Sequence, residues 1–158
     1  MQDQNNNLVP HLTVNNATAA IEFYKTALGF EEVVRMPSPH GKILHCELKR
    51  GPNRMFVADS FPEMGDGSHA RPPSELGGSA VTIHLGVPDV DVAFAKALAA
   101  GATETMPLAD MFWGDRYGKF IDPFGHHWSM STHKEDVSLE ENKKRAGAIF
   151  AKWAKQNE

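Results

Sequence analysis

A chain of 158 residues with a formal net charge of −4 is long enough to bury a sizeable core without disulfides or a structural metal. Its lysines and arginines are scattered until the C-terminal end, which argues against nucleic acid as a partner, and no apolar run approaches the roughly 20 residues of a membrane span. The single cysteine, Cys46, and a polar N-terminus without a signal-peptide pattern predict a cytoplasmic protein that has no internal disulfide and no membrane partner.

The first half of the chain predicts a strand, a helix and three more strands. Residues 8–14 (LVPHLTV) alternate in polarity and predict a strand. A helix from Ala17 to Leu28 follows, with Asn15 or Asn16 as its N-cap and Gly29 as its end. Three strands separated by turn-forming sequences come next, at 30–36, 42–50 and 54–59.

A polar, Gly- and Pro-rich stretch at 60–79 predicts a linker or lid, because it is long for a connection in a compact domain.

The pattern of a strand, a helix and three strands is repeated in the second half of the chain. Residues 80–87 predict a strand, 89–100 predict a helix that ends at Gly101, and DPFG predicts a turn between the last two strands. The three strands of this half are predicted at 103–109, 115–121 and 126–132.

The two halves of the chain are related by an internal duplication. Placing residues 11–14 over residues 84–87 brings the following helices and their terminal glycines into register. We therefore predict one α+β domain at 1–136, made of two βαβββ modules at about 8–59 and 80–133 that pack about a pseudo-two-fold axis. A cavity between the halves is the natural place for a ligand.

The C-terminal segment, 137–158, predicts a separate helix. It begins with a capping box from Ser138 to Glu141 and carries an apolar stripe made of Ala146, Ile149, Phe150 and Trp153. Its polar face mixes acids with bases, so packing on its own domain or on a partner subunit is favoured over a membrane surface.

Strand alternation sorts the side chains of the predicted sheet into two faces. In the third strand, Leu44, Cys46 and Leu48 are assigned to the apolar face, which is expected to carry the helices. Cys46 is accordingly expected to be a core residue, not a nucleophile. The more polar face collects most of the candidate ligand-binding residues, which are His11, His45, His84, His127, Glu47 and Asp59.

A single histidine on a strand is more often solvated than functional, and this applies to His45 and His127. His11 and His84 occupy equivalent positions of the two halves, and the pseudo-two-fold axis is expected to bring them toward one site. Their imidazoles can ligate a metal, bind an anionic or oxygen-rich ligand, or relay protons, and the sequence does not choose among these. Trp113 and Arg116 belong to a polar-aromatic run that is as typical of loop packing as of ligand contact. The Arg116 guanidinium can bind a carboxylate or a phosphate.

Four sequence motifs make the chain similar to the vicinal-oxygen-chelate superfamily of glyoxalases, bleomycin-resistance proteins and extradiol dioxygenases, and most of all to its PhnB-like branch. The motifs are VPHLTVNNATAAIEFYKTALGF, GKILHCEL, ADSFPEMG and DMFWGDRYGKFIDPFGHHWSMSTH, which together extend over about 8–133. The resemblance implies a homodimer, and modules that pair into a curved, U-shaped mixed sheet with helices on its outer face. In the enzymes of the superfamily this sheet holds a divalent metal.

The metal-ligand positions of those enzymes align here with Val9, a position near Val57, Thr82 and Ser129. None is a histidine or a carboxylate, whereas a catalytic divalent ion generally takes about three protein ligands. We therefore expect a small-molecule-binding protein without the usual catalytic metal and without a cofactor. The alternative is a metal-dependent lyase, isomerase or dioxygenase that uses His11 and His84 with Glu47 or Asp59, and a third possibility is a purely structural domain.

Overall fold

The computed structural model describes residues 8–64 and 70–156. The first half contains β1 (His11–Val14), α1 (Ala17–Thr26), β2 (Glu31–Pro37), β3 (Ile43–Arg50) and β4 (Asn53–Asp59). A 3-10 turn at Pro62–Met64 and a four-residue helix, α2 (Pro73–Leu76), follow. The second half contains β5 (Thr82–Gly86), α3 (Val90–Ala99), β6 (Thr103–Asp110), β7 (Asp115–Ile121) and β8 (His127–His133), and α4 (Leu139–Gln156) ends the described chain.

The two halves have the same sheet topology. One four-stranded sheet has the order β1-β4-β3-β2 and the other has the order β5-β8-β7-β6. In each sheet the first strand pairs parallel with the last and the remaining pairs are antiparallel. The predicted α+β fold with two βαβββ units is confirmed, and β1 and β5 are edge strands of their sheets.

The helices form where the sequence supplies their caps. The Asn16 side chain accepts a hydrogen bond from the Ala19 N–H, and the Asp89 side chain accepts one from the Val92 N–H, so α1 and α3 begin in the same way. Gly29 and Gly101 follow the two helices with φ values of 73° and 109°, a backbone conformation that favours glycine. The predicted helix ends are thus correct to within a few residues.

The core lies between the helices and one face of each sheet. Leu12, Leu48 and Val57 from the first sheet and Trp128 from the second are all buried in it. We call the opposite face of each sheet its open face. The assignment of Leu44 to the core was wrong: the β2–β3 register skips this residue, its side chain is 43% exposed, and Ile43 is buried instead.

A buried carboxylate, Asp122, joins the two halves. Its Oδ1 accepts hydrogen bonds from the backbone N–H groups of Phe124 and His126 in the turn before β8. Its Oδ2 accepts from the Tyr24 hydroxyl at 2.7 Å and from the Trp128 indole N–H at 2.9 Å. Burial, and then the neighbouring carboxylate, raise the pKa of Tyr24 well above its usual value, so the phenol stays a donor.

The described part of the linker is packed onto the domain. Pro72 and Pro73 are buried, and the Asn15 side-chain amide donates to the Ser74 hydroxyl at 2.8 Å. The short helix α2 was not predicted. The lid expected over 60–79 includes 65–69, which lie outside the described residues.

The C-terminal helix α4 projects from the domain. Among its described residues none is fully buried. Ile149, Phe150 and Trp153 are 49%, 67% and 64% exposed. The helix is held near its start by Arg145, which is bonded to both Glu135 and Glu141. Within the described ranges, none of the helices has the length and apolarity needed to span a bilayer.

A close backbone passage precedes α4. The Gly114 carbonyl oxygen accepts hydrogen bonds from the N–H groups of Lys134 and Glu135, and Gly114 has a φ of 102°. A Cβ atom at this position would collide with the Glu135 carbonyl oxygen. Glycine is therefore required where the chain leaves β8 for α4.

We expect Asp122→Asn to lower the free energy of unfolding by about 2–4 kcal/mol, because a side-chain amide has one acceptor oxygen and leaves two buried donors unpaired. Urea denaturation measures the change. Asp110→Asn, which alters an exposed ion pair with Arg116 at 3.3 Å, is the control and should cost less than about 1 kcal/mol. Equal losses in both variants would contradict the role of Asp122.

Candidate functional site

The open face of the second sheet carries a histidine held by two serines. His84 on β5 is hydrogen-bonded through Nδ1 to the Ser129 hydroxyl at 2.9 Å and through Nε2 to the Ser131 hydroxyl at 3.2 Å. Its ring stacks on Tyr117 of β7, with centroids 5.9 Å apart and ring planes at 16°. This arrangement follows from the register, which places His84 opposite Ser129 and Tyr117 opposite Ser131.

Trp113 extends this surface beside the start of β7. Its ring packs edge-on against Tyr117 at 5.5 Å, and its indole N–H donates to the Asp115 carboxylate at 3.1 Å. We call His84, Tyr117 and Trp113 the aromatic shelf. His84 is exposed, and the other two side chains are half-buried. The shelf therefore presents ring surfaces to solvent, while Ser129 and Ser131, which hold His84, are buried.

The open face of the first sheet carries a different cluster. The rings of His11 and His45 lie 6.3 Å apart, and both pack edge-on against Phe56, at 6.0 and 4.8 Å. Burial, and then the nearby His45, lower the pKa of His11 below its ordinary value. His11 and His84 thus have different neighbours, and their predicted convergence on one ligand stays a prediction.

The structure uses two of the predicted carboxylates for internal contacts. Asp59 was expected on the open face, and this was wrong. It pairs in register with the buried Val14, and its oxygens accept hydrogen bonds from the backbone N–H groups of Ala17 and Ile43. Glu47 does lie on the open face, opposite Phe56, where it forms an ion pair with Arg54 at 3.4 Å.

Arg116 and His127 do not belong to the aromatic shelf. Arg116 binds Asp91 of α3 through two nitrogens and contacts Asp110 as well, so its guanidinium is already occupied by carboxylates. His127 lines an open cavity of about 580 Å³ between the linker and the β7–β8 turn, whose wall also includes Asn15 and Ser74.

Comparison with known proteins identifies the family. The model of the glyoxalase/bleomycin resistance protein/dioxygenase superfamily matches residues 7–130. The chain belongs to this superfamily. An uncharacterized protein of Mycobacterium bovis is 46% identical to it over 134 residues, which are 85% of this chain and 88% of that relative.

Solved structures have the same fold. TioX from Micromonospora sp. ML1 is 27% identical, with a TM-score of 0.61 over 80% of this chain and 97% of that one. A PhnB protein from Bacillus cereus, described as a putative 3-demethylubiquinone-9 3-methyltransferase, is 19% identical, with a TM-score of 0.61 over 80% of this chain and 98% of its own. At that identity the PhnB protein supports the fold alone.

The residues at the superfamily's metal-ligand positions do not fit a divalent ion. Val57 is fully buried on the helix side of β4, and the Ser129 hydroxyl is hydrogen-bonded to His84. Thr82 adds only a hydroxyl, which is a poor ligand for a catalytic metal. Across 8–64 and 70–156, no three His, Cys, Asp or Glu side chains come together in a way that would hold a metal.

The sole cysteine is a core residue in the superfamily fold. Cys46 is buried and unpaired, and burial raises the pKa of its thiol to about 11. A thiol that stays protonated at neutral pH is a poor nucleophile. The expectation that Cys46 belongs to the core is confirmed.

Sequence reasoning missed Tyr117 as a stacking partner and Ser131 as the second hydroxyl beside His84. Ser131 shares strand parity with His127, which was assigned to the open face, whereas no residue of β7 was assigned to a face. The pairing of β7 with β8 brings them together, and the sequence does not specify that register.

We expect His11 and His133 to titrate on opposite sides of pH 6.5. The pKa of His11 should lie below this value, because burial and the nearby His45 lower it. The hydrogen bond to Asp115, and then the one to Asp136, raise the pKa of His133 above its ordinary value. Because the folded-state pKa is raised, the stabilisation from His133 is complete below about pH 6.5 and is lost as the pH rises through the folded pKa.

NMR titration of the imidazole protons measures both pKa values. His45→Gln should raise the pKa of His11 only in part, because burial is the larger cause. Asp136→Asn should lower the pKa of His133 and leave that of His11 unchanged. Identical titration of the two histidines would contradict these surroundings.

Proposed function

We propose that the chain is a small-molecule-binding protein whose ligand lies on the aromatic shelf and does not require a divalent metal. The observation that carries this proposal is the fixed position of His84, with a serine on each ring nitrogen and Tyr117 against its face. A side chain held by three neighbours loses little freedom when a ligand binds, and this favours affinity.

The chemistry of the shelf favours a flat, oxygen-bearing ligand. Exposed ring surface on His84, Tyr117 and Trp113 suits an aromatic or conjugated body, with each aromatic pair contributing about 0.5–1.5 kcal/mol beyond area burial. The half-buried Tyr117 carries a hydroxyl that can donate a hydrogen bond to a ligand oxygen, whereas the buried Ser129 and Ser131 hydroxyls hold His84. Both ring nitrogens of His84 are engaged by serines, so the shelf favours such a ligand over a metal ion.

We also propose that the protein is a cytoplasmic homodimer. The edge strands β1 and β5 and the exposed stripe of α4 are surfaces that a second copy can cover. A lone cysteine that is buried as a thiol suits a reducing compartment.

The ligand proposal is tested by calorimetry, after an NMR screen of aromatic hydroxy compounds provides a ligand. His84→Ala should weaken binding by about 1–2 kcal/mol, because a fixed hydrogen-bonding group is lost, and Tyr117→Leu by about 0.5–1.5 kcal/mol. His40→Ala, in the exposed β2–β3 turn, is the matched control and should change nothing. Binding that disappears with a chelator and returns with added metal would contradict the metal-independent site.

The same ligand tests the predicted convergence of His11 and His84. In a double-mutant cycle, a ligand that bridges both histidines should give a coupling energy above about 0.5 kcal/mol. A His11→Ala effect near zero would restrict the site to the second sheet.

The assembly is tested by sedimentation equilibrium at micromolar concentration. The expected mass is twice the chain mass of 17.4 kDa. Truncation after Val137 removes α4 and should weaken the dimer if the apolar stripe is buried in it. A full-length protein that sediments as a single chain would contradict the dimer.

A further inference from the structure

A second cavity lies between the two halves, and His84 is the one residue of the aromatic shelf that lines it. It has a volume of about 220 Å³ and is bounded by the segment before β1, by the β3–β4 turn and by β5. Its apolar wall includes Phe30, Met55, Leu85 and Trp128. At about 30 Å³ per water molecule, the volume corresponds to about seven waters, which suits a small organic molecule.

The charged groups of this cavity are cationic. Arg50 and Arg54 both line it, and no carboxylate appears among the described residues that line it. The Arg50 Nε–H donates to the Leu28 carbonyl oxygen at 3.0 Å, which fixes the guanidinium at the cavity wall. Arg54 has one ion pair, with Glu47, and its buried Nη1 has no hydrogen-bond partner within the parts of the chain described.

The backbone of β5 adds hydrogen-bond donors to the same wall. The Val87 N–H bonds to the Ser131 carbonyl oxygen of β8, so by strand alternation the N–H groups of His84 and Gly86 point away from β8. No backbone hydrogen bond joins β1 to β5 in the described residues, which leaves this edge unpaired where it meets the cavity. Unpaired backbone N–H groups beside an arginine favour an anion.

We infer that this cavity binds a small monocarboxylate with an apolar body. The carboxylate binds Arg54 and the open edge of β5, and the apolar body packs against Phe30, Met55 and Trp128. The mixture of apolar lining with a few convergent polar groups is typical of ligand sites, and the volume limits the body to a single ring or a short branched chain. Tyr117 and Trp113 do not line this cavity, so binding here is distinguishable from binding on the aromatic shelf.

The test compares phenylacetate with its neutral isostere, phenylacetamide, by calorimetry on the full chain. Phenylacetate should bind at least tenfold more tightly than the amide. Arg54→Gln should weaken phenylacetate binding at least tenfold. Arg71→Gln, which removes one positive charge from the linker, is the matched control and should change binding less than twofold.

The position of bound phenylacetate is determined from the indole N–H signals of the three tryptophans in a ¹H–¹⁵N spectrum. The variants Trp113→Phe and Trp153→Phe assign these signals. Phenylacetate should shift the signal of Trp128, which lines the cavity, and leave that of Trp113 unmoved. Equal affinity for acid and amide overturns the inference, as does a shift of Trp113 in place of Trp128. The comparison of the two ligands uses the unaltered protein, so the inference can fail even if Arg54→Gln does not fold.

Discussion

The placement of the two sheets relative to each other depends on one buried carboxylate. Asp122 accepts four hydrogen bonds, two from its own turn and two from side chains of different halves, Tyr24 and Trp128. A carboxylate buried to this degree is stable only when its oxygens are well paired. The same carboxylate therefore holds both the turn and the contact between the halves, and Trp128 also lines the 220 Å³ cavity.

The fold could be predicted from the sequence because its signals are local. The N-cap of α1, predicted at Asn15 or Asn16, and the glycines after both helices were predicted correctly, and alternation placed Cys46 and Leu48 in the core. One error arose where alternation was carried through an irregularity, and the other where Asp59, the last residue of β4, was assigned to the open face against its own parity. The bulge at Leu44 moved that side chain to solvent, and Asp59 shares the parity of the buried Val57 and caps the start of α1.

The candidate site could be predicted only in outline. The open-face position of His84 followed from alternation, but its neighbours followed from strand register. The parallel partner of His11 is Phe56 and that of His84 is Ser129, so equivalent histidines of the two halves face an aromatic ring in one case and a hydroxyl in the other. The two halves therefore share a backbone fold, but the side chains next to the equivalent histidines differ.

The attachment of α4 has a mechanical consequence. The helix contains 18 residues and so is about 27 Å long, and its tether at Arg145 lies about 12 Å from Trp153 at a rise of 1.5 Å per residue. The helix is attached near its start by exposed ion pairs, and its exposed apolar side chains lie toward its C-terminal end. With an arm of about 12 Å, a rotation of about 10° at the tether would displace Trp153 by about 2 Å. The superfamily model matches residues 7–130, so α4 lies outside the matched segment.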